Sequence, residues 1–314
     1  MPESRPRLVY IVGWGRSGST LLGNILGSLP GAVHTGEIRR FWNYWDRRDR
    51  YCGCGETIAD CPFWGAVRDE VLADPRLPTT DLSELQRVQR QATRTRNTLM
   101  VARAGSADEL HSELYATEIE ALRCLYRAVA RVSEAEVMID SSKQVPYGAL
   151  AGMALDTQPT YIHLVRDPRA TAYSWQRVRT SGPGDDRVMP RYSAFASSVS
   201  WVVSNVGADQ LRRRRSRVAR VGYEDLVESP GSVIGDIAEV LGRSRADVPL
   251  EADSTVSLQT NHAFAGNPSR FHRGRIRLSN DDQWVGSQRR VDRVICDLVT
   301  FPFLRRFGYS LLVR

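Results

Sequence analysis

The apolar residues Leu8 to Val12 run unbroken until Gly13, and after Ser19 apolar positions return at helical spacing through Leu22, Ile25, Leu26 and Leu29. A short buried strand, a glycine-rich loop and an amphipathic helix therefore follow one another within residues 8–29. Further on, Asp81-x-x-Glu84 and Ser106-x-x-Glu109 have the form of capping boxes and predict long helices over 81–103 and 106–132. In the second of these, Leu110, Leu114, Ile119, Leu122, Tyr126 and Val129 make one apolar face. Apolar runs at 137–140, 160–165 and 218–223 predict strands, and a last helical pattern covers 280–307. Strands separated by helical patterns require crossover connections, hence a parallel sheet covered on both faces. The expected architecture is α/β: a P-loop-type parallel β-sheet with helices on both faces and a helical insertion at about 65–135, in a single domain over 1–314.

Composition narrows this picture. With 42% hydrophobic and 25% charged residues the chain has a globular balance, and no apolar run approaches the length of a bilayer span. The opening MPESRPR reaches the first strand without room for a signal peptide, so a cytoplasmic protein with no membrane partner is expected. A formal charge of +7 suits an anionic ligand, while the interspersed charges form no tract of the nucleic-acid-binding kind. Among 43 basic residues Lys143 is the one lysine. The run Arg212 to Arg215 is expected to close a helix facing water. Phe41, Trp42, Tyr44 and Trp45 form either a core face or a stacking wall, and Arg87, Arg90, Arg94 and Arg96 either a solvated face or the edge of an acceptor site.

Cys52, Cys54 and Cys61 cluster ahead of Phe63-Trp64. C-x-C followed by one cysteine is a poor match to zinc-ligand spacing and lacks a fourth ligand. Packed thiols or a local disulfide, and no metal, are expected there. Cys124 and Cys296 lie on helical patterns and read as core.

The loop itself, Gly13-Trp14-Gly15-Arg16-Ser17-Gly18-Ser19-Thr20, fits the nucleotide-triphosphatase pattern except that Ser19 stands in place of its lysine. Backbone N–H groups and the helix start can still cradle an anion. The cation has moved to Arg16, which suits transfer of a terminal group without a metal. These residues resemble the phosphosulfate loop of the sulfotransferase family.

Four further stretches carry the same resemblance. Arg166, at the end of a strand, with Ser174 eight residues on, resembles the family's 3′-phosphate site. Lys143, just past another strand end, resembles a lysine that contacts the sulfate in the carbohydrate and protein-tyrosine branches. Gly222-Tyr223-Glu224-Asp225-Leu226 resembles the family's Y-E-D-L element, whose tyrosine lies against adenine. The stretch 266–274 stands where the family has a mobile basic loop, with Arg270 the choice for a 3′-phosphate contact; it departs from the Arg-Lys-Gly element of the cytosolic small-molecule branch. Gly36-Glu37 and Phe307-Gly308-Tyr309 are most similar to the protein-tyrosine and bacterial carbohydrate or natural-product branches.

The resemblance implies transfer of the sulfuryl group of 3′-phosphoadenosine 5′-phosphosulfate (PAPS) to a hydroxyl of a small-molecule, natural-product or glycan acceptor, by a monomer or homodimer. Arg16, Ser17, Gly18, Ser19, Thr20, Arg166, Ser174, Tyr223 and Arg270 would bind the donor. Arg16 and Lys143 would stabilise the leaving oxygen, and Glu37 leads His34, His262 and His272 as base. A metal-dependent P-loop kinase and a non-catalytic nucleotide-binding module are the competing readings.

Overall fold

The computed structural model describes residues 7–155, 157–182, 185–215, 219–251 and 254–310. Strands β1 (Arg7–Gly13), β2 (Ala32–Gly36), β3 (Val137–Lys143) and β4 (Thr160–Val165) join with a later strand, Val221–Gly222, in one five-stranded sheet. Between β4 and that strand lies the hairpin β5 (Thr180–Gly182) and β6 (Asp185–Val188); Val221–Gly222 is thus β7. A second hairpin, β8 (Thr255–Leu258) and β9 (Gly274–Arg277), follows. The main sheet runs in the order β2-β3-β1-β4-β7, and every pairing in it is parallel.

Alternation along β1 explains its central place. Leu8, Tyr10 and Val12 enter one core with helices Glu113–Ser133 and Val145–Ala154, while Val9 and Ile11 enter the other with helices Ser19–Gly27 and Pro230–Val240. A strand buried on both faces reads as a continuous apolar run, which is why it stood out in the sequence. All of β1 after Arg7 is buried.

Several boundaries differ from the sequence-based expectation. Strand β2 gave no apolar signal because its inward side chains are polar: Thr35 donates to the Ile139 carbonyl at 3.0 Å, and His34 is fully enclosed. The helix expected over 81–103 is two, Leu82–Ala92 and Thr98–Arg103. Asp81 does cap the first, accepting from the Ser83 N–H at 2.9 Å. Asn97 then folds back onto the Gln91 and Ala92 carbonyls and ends it. Ser106 opens no helix; Glu109 turns back to the Gly105 N–H, and the long helix begins at Glu113. Val218 lies outside the described residues, and Tyr223 starts a helix where the sequence predicted a strand end. The final pattern is two helices, Gln283–Ser287 and Arg290–Phe307. At the end of helix Ala194–Arg215, Arg212 and Arg213 pair with the buried Asp209, which Arg306 also reaches. The aromatic stretch divides: Phe41 and Trp42 are core, whereas Arg40 and Arg50 lie over the Tyr44 ring.

Glu118, 1% exposed in helix Glu113–Ser133, is a buried carboxyl whose pKa burial pushes up to about 8, with Gln89 offsetting a part. Its folded-state pKa lies above its unfolded one, so its contribution is fully present below about pH 4.5 and is lost as pH rises through 8. Glu118→Gln is therefore expected to stabilise the protein on the order of 2–4 kcal/mol at pH 9 and to change little at pH 4. Melting curves at the two pH values check this; a shift independent of pH would contradict it.

Candidate active site

The glycine-rich loop joins β1 to helix Ser19–Gly27. Gly18 caps that helix at φ +88°, and a Cβ there would meet the Tyr223 ring at 2.5 Å, so the loop can close only on glycine. The first N–H groups of the helix then face the cleft without intrahelical partners. Arg16, itself at φ +67°, turns its guanidinium over the Trp175 ring at 4.8 Å and donates through one terminal nitrogen to the Met189 sulfur at 3.4 Å. Its Nε and remaining nitrogen are buried without a hydrogen-bond partner. Burial lowers its pKa to about 10, with Arg179 adding to the effect and Glu37 opposing it.

Arg166 follows β4 directly. It donates to the Arg16 carbonyl at 3.2 Å and the Asp281 carbonyl at 3.1 Å, and its guanidinium lies 4.4 Å above the Tyr223 ring. Asp167 accepts from the Arg169 N–H at 2.8 Å and so caps helix Pro168–Gln176. That helix brings Ser174 to the cleft.

The ends of β2 and β3 are joined by a polar lattice. Gly36, at φ +71°, turns the chain where a Cβ would strike the Phe264 backbone at 2.7 Å, and Glu37 follows at once. In β3, Asp140 accepts from the Ser142 N–H at 2.7 Å and the Tyr126 hydroxyl at 2.5 Å. Burial pushes Asp140 up to about 6 against those two bonds. The turn that it fixes leaves Lys143 at φ +71°, donating to the Ser141 carbonyl at 2.9 Å and to Glu37 Oε1 at 2.7 Å. Arg39 holds Glu37 Oε2 at 3.3 Å. Burial alone would raise the Glu37 carboxyl, but Lys143, Arg39 and Arg40 outweigh it and hold it at about 2. Burial lowers the Lys143 pKa while Glu37 raises it.

These four strand ends open on one cavity of about 290 Å³. It collects Arg16, Gly18, Ser19, Thr20, Glu37, Lys143, Arg166, Ser174 and Tyr223. Ser17 does not line it; its hydroxyl is buried in the loop without a partner. Arg270 is placed elsewhere: it is 4% exposed, and its guanidinium is spent on the carbonyls of Tyr51, Ser181 and Gly266. Arg277 and His272 reach the cleft from the same stretch, and Arg179 and Trp175 complete it from the other side. No local pattern marked Arg179 or Trp175, whereas Arg277 stands on the strand β9 that a Gly-x-x-Arg alternation could have suggested.

Of the base candidates, Glu37 and His272 line the cavity. His34 is sealed under the loop helix between Asn24 at 2.9 Å and Ser141 at 3.0 Å, and burial pushes it down to about 3. His262 lies among the cysteines, which are free thiols. The expectation that those cysteines lack a fourth potential ligand is thereby corrected: His262 stands 210 residues beyond Cys52 in the chain and 3.7 Å from its sulfur.

A second cavity, about 380 Å³, is walled by Arg39, Arg40, Gln86, Arg90, Arg94 and Gln144 among others. Glu37 and Lys143 line the first cavity, while Arg39, which holds Glu37, and Gln144, next to Lys143 in the chain, line the second, so the polar lattice lies between the two. Of the arginines of the helical segment, Arg90 and Arg94 thus face a cavity, whereas Arg87 pairs with Glu84 at the surface and Arg96 does not line it.

The profile of the sulfotransferase family matches residues 6–247, and the chain belongs to that family. It is accordingly a transferase of the sulfotransferase class. Among solved structures it is similar to the sulfotransferase domain from the curacin biosynthetic pathway, at 14% identity and a TM-score of 0.52, over 98% of this chain and 99% of that one. It is also similar to sulfotransferase STF9 from Mycobacterium avium, at 13% identity and a TM-score of 0.42, over 100% of this chain and 79% of that one. At these identities the likeness is one of fold. No curated protein matches the chain. Among the described residues no helix is long and apolar enough to cross a membrane.

Proposed function

We propose that the protein transfers the sulfuryl group of PAPS to a hydroxyl of a polar small-molecule, natural-product or glycan acceptor. The observation that carries this reading is a set of buried, unpartnered donors on residues that line one cavity: Arg16 Nε and a terminal nitrogen, Arg166 Nε and Arg179 Nε. Buried cationic donors without partners are costly, and an anionic ligand satisfies them. PAPS supplies two anionic groups, and the donors come from different elements, the loop after β1 and the segments after β4. The loop and Arg16 suit the 5′-phosphosulfate; Arg166 and Ser174, with Arg179 and Arg277 in place of Arg270, suit the 3′-phosphate. Tyr223, between Gly18 and Arg166, offers an aromatic wall for the base. Without the loop lysine, nothing at Ser19 serves the β- and γ-phosphates of a triphosphate.

The second cavity is the proposed acceptor entrance, since the lattice of Glu37 and Lys143 lies between it and the donor cavity. Its arginines and glutamines favour an acceptor rich in hydrogen-bond acceptors over an apolar one.

Charge-assisted hydrogen bonds contribute about 1.5–3 kcal/mol each. Adenosine 3′,5′-bisphosphate is therefore expected to bind roughly 10- to 100-fold more tightly than AMP, and more tightly than ATP, with no added Mg²⁺. Isothermal calorimetry measures this. Equal or tighter binding of Mg-ATP would instead favour the kinase reading. Incubation with labelled PAPS and a panel of phenols, glycans and polyketide-like alcohols identifies the acceptor.

A further inference from the structure

We propose that Cys52, Cys54, Cys61 and His262 form a closed, four-coordinate structural zinc site, separate from the transfer chemistry. The four ligand atoms lie within 4.8 Å of one another. Three are thiol sulfurs and one an imidazole nitrogen, the donor set that selects zinc. A tetrahedral zinc with Zn–S of about 2.3 Å and Zn–N of about 2.05 Å requires S···S edges of about 3.75 Å and S···N edges of about 3.55 Å. Three of the six edges are 3.7 Å for Cys54 to Cys61, 3.5 Å for Cys61 to His262 and 3.7 Å for Cys52 to His262, and the others lie within 4.8 Å. The sulfurs are too far apart for a disulfide, which needs about 2.05 Å. One Nδ1 near two sulfurs is also more than a chain of thiol hydrogen bonds requires.

The surrounding chain is shaped to hold these atoms together. Gly55, at φ +98°, returns its N–H to the Cys52 carbonyl at 2.9 Å and closes a tight turn around Cys54. Cys61 N–H bonds to the Thr57 carbonyl at 2.9 Å and precedes the helix Pro62–Ala73. Phe63 stacks on the His262 ring at 4.6 Å, and Trp64 donates to the His262 carbonyl at 2.9 Å, fixing the imidazole toward the sulfurs. Cys52 and Cys61 are buried, and four protein ligands leave no open position for substrate.

Such a site joins two distant segments. After His262, Phe264 N–H bonds to the Thr35 carbonyl at 2.9 Å, and Gly266, Asn267, Ser269 and His272 go on to line the donor cavity. The metal would clamp that wall to the 52–61 loop, in addition to the packing of Ile58, Trp64 and Phe264 in the shared core.

Zinc is expected at about one equivalent per full-length chain, by plasma mass spectrometry, after purification without chelator and dialysis against metal-free buffer. Cobalt exchanged into the wild-type protein should give the intense thiolate charge-transfer band and strong visible bands of tetrahedral coordination. Cys54→Ser and His262→Ala should lose the metal, while His262→Cys should retain it with a shifted cobalt spectrum; the wild-type measurements stand even if a variant fails to fold. In the wild-type protein Cys52, Cys54 and Cys61 should resist alkylation until metal is removed, and removal should lower the melting temperature. Substoichiometric zinc, an octahedral cobalt spectrum, or a disulfide joining Cys54 and Cys61 in protein prepared anaerobically would each overturn the proposal. None of these readouts depends on sulfuryl transfer, so each reading stands or falls alone.

Discussion

Lys143→Ala should lower kcat about 10²- to 10³-fold while leaving the affinity for adenosine 3′,5′-bisphosphate within a few-fold of wild type. The expectation follows from position. Lys143 sits past the end of β3 in a left-handed conformation that Asp140 fixes from below, so its ammonium stands at the cavity wall and not within the loop. A cation so placed adds little to binding a nucleotide held by Arg166 and the helix start, and it adds most where negative charge grows during transfer. If sulfuryl transfer, like phosphoryl transfer, passes through a loose transition state, that charge collects on the bridging oxygen. Arg166→Ala should show the opposite division, a raised KM for PAPS with kcat nearly kept, because its contacts do not change along the reaction. A rise in KM alone for Lys143→Ala would reduce the residue to a ground-state contact. Because Lys143 also holds Glu37 at 2.7 Å, it could act merely by positioning that carboxylate, and the double variant separates the two roles. If positioning were its whole effect, removing both residues would cost no more than removing Glu37 alone; independent action on the leaving oxygen makes the losses multiply.

What was legible in the sequence was whatever chemistry is local. The phosphate loop spans eight consecutive residues, and its one departure, Ser19, is visible without any tertiary information. Strand β1 declared itself because both of its faces are apolar. By the same logic β2 was silent: Thr35 and His34 are inward-facing but polar, satisfied by the Ile139 carbonyl, Asn24 and Ser141, so no hydrophobic period marks them. The resemblance points to Arg270 within 266–274, a stretch that ends before Arg277. In a stretch dense with glycine and arginine, composition says that cations are present but not which one finds three backbone carbonyls and which one faces the cavity. At the cysteine loop the sequence shows three thiols but not the imidazole beside them, because His262 is separated by 201 positions from Cys61 and spacing rules for metal ligands see only near neighbours.

Glu37→Gln should lower kcat about 10²- to 10⁴-fold, the range for loss of a general base, with bisphosphate affinity near wild type. In the resting site the carboxylate is a poor base, held at about 2 by Lys143, Arg39 and Arg40 against the effect of burial. Two features make this compatible with catalysis. A loose transition state leaves the acceptor hydroxyl protonated until late, so the base need not be strong early. Moreover, the contact that lowers Glu37 most is the lysine that stands ready to follow charge onto the donor. If Lys143 turns toward the transferring group, burial is left opposed by Arg39 and Arg40 alone, and the basicity of Glu37 rises at the moment when the proton must leave. The acid limb of the kcat profile should therefore break well above pH 2, and it should disappear in Glu37→Gln. A carboxylate that served only to orient Lys143 predicts something different: the glutamine amide still bonds to the ammonium, and kcat falls less than about tenfold. That smaller loss would pass the role to His272, the one of the three histidine candidates that lines the cavity, and His272→Gln would then carry the larger loss in kcat.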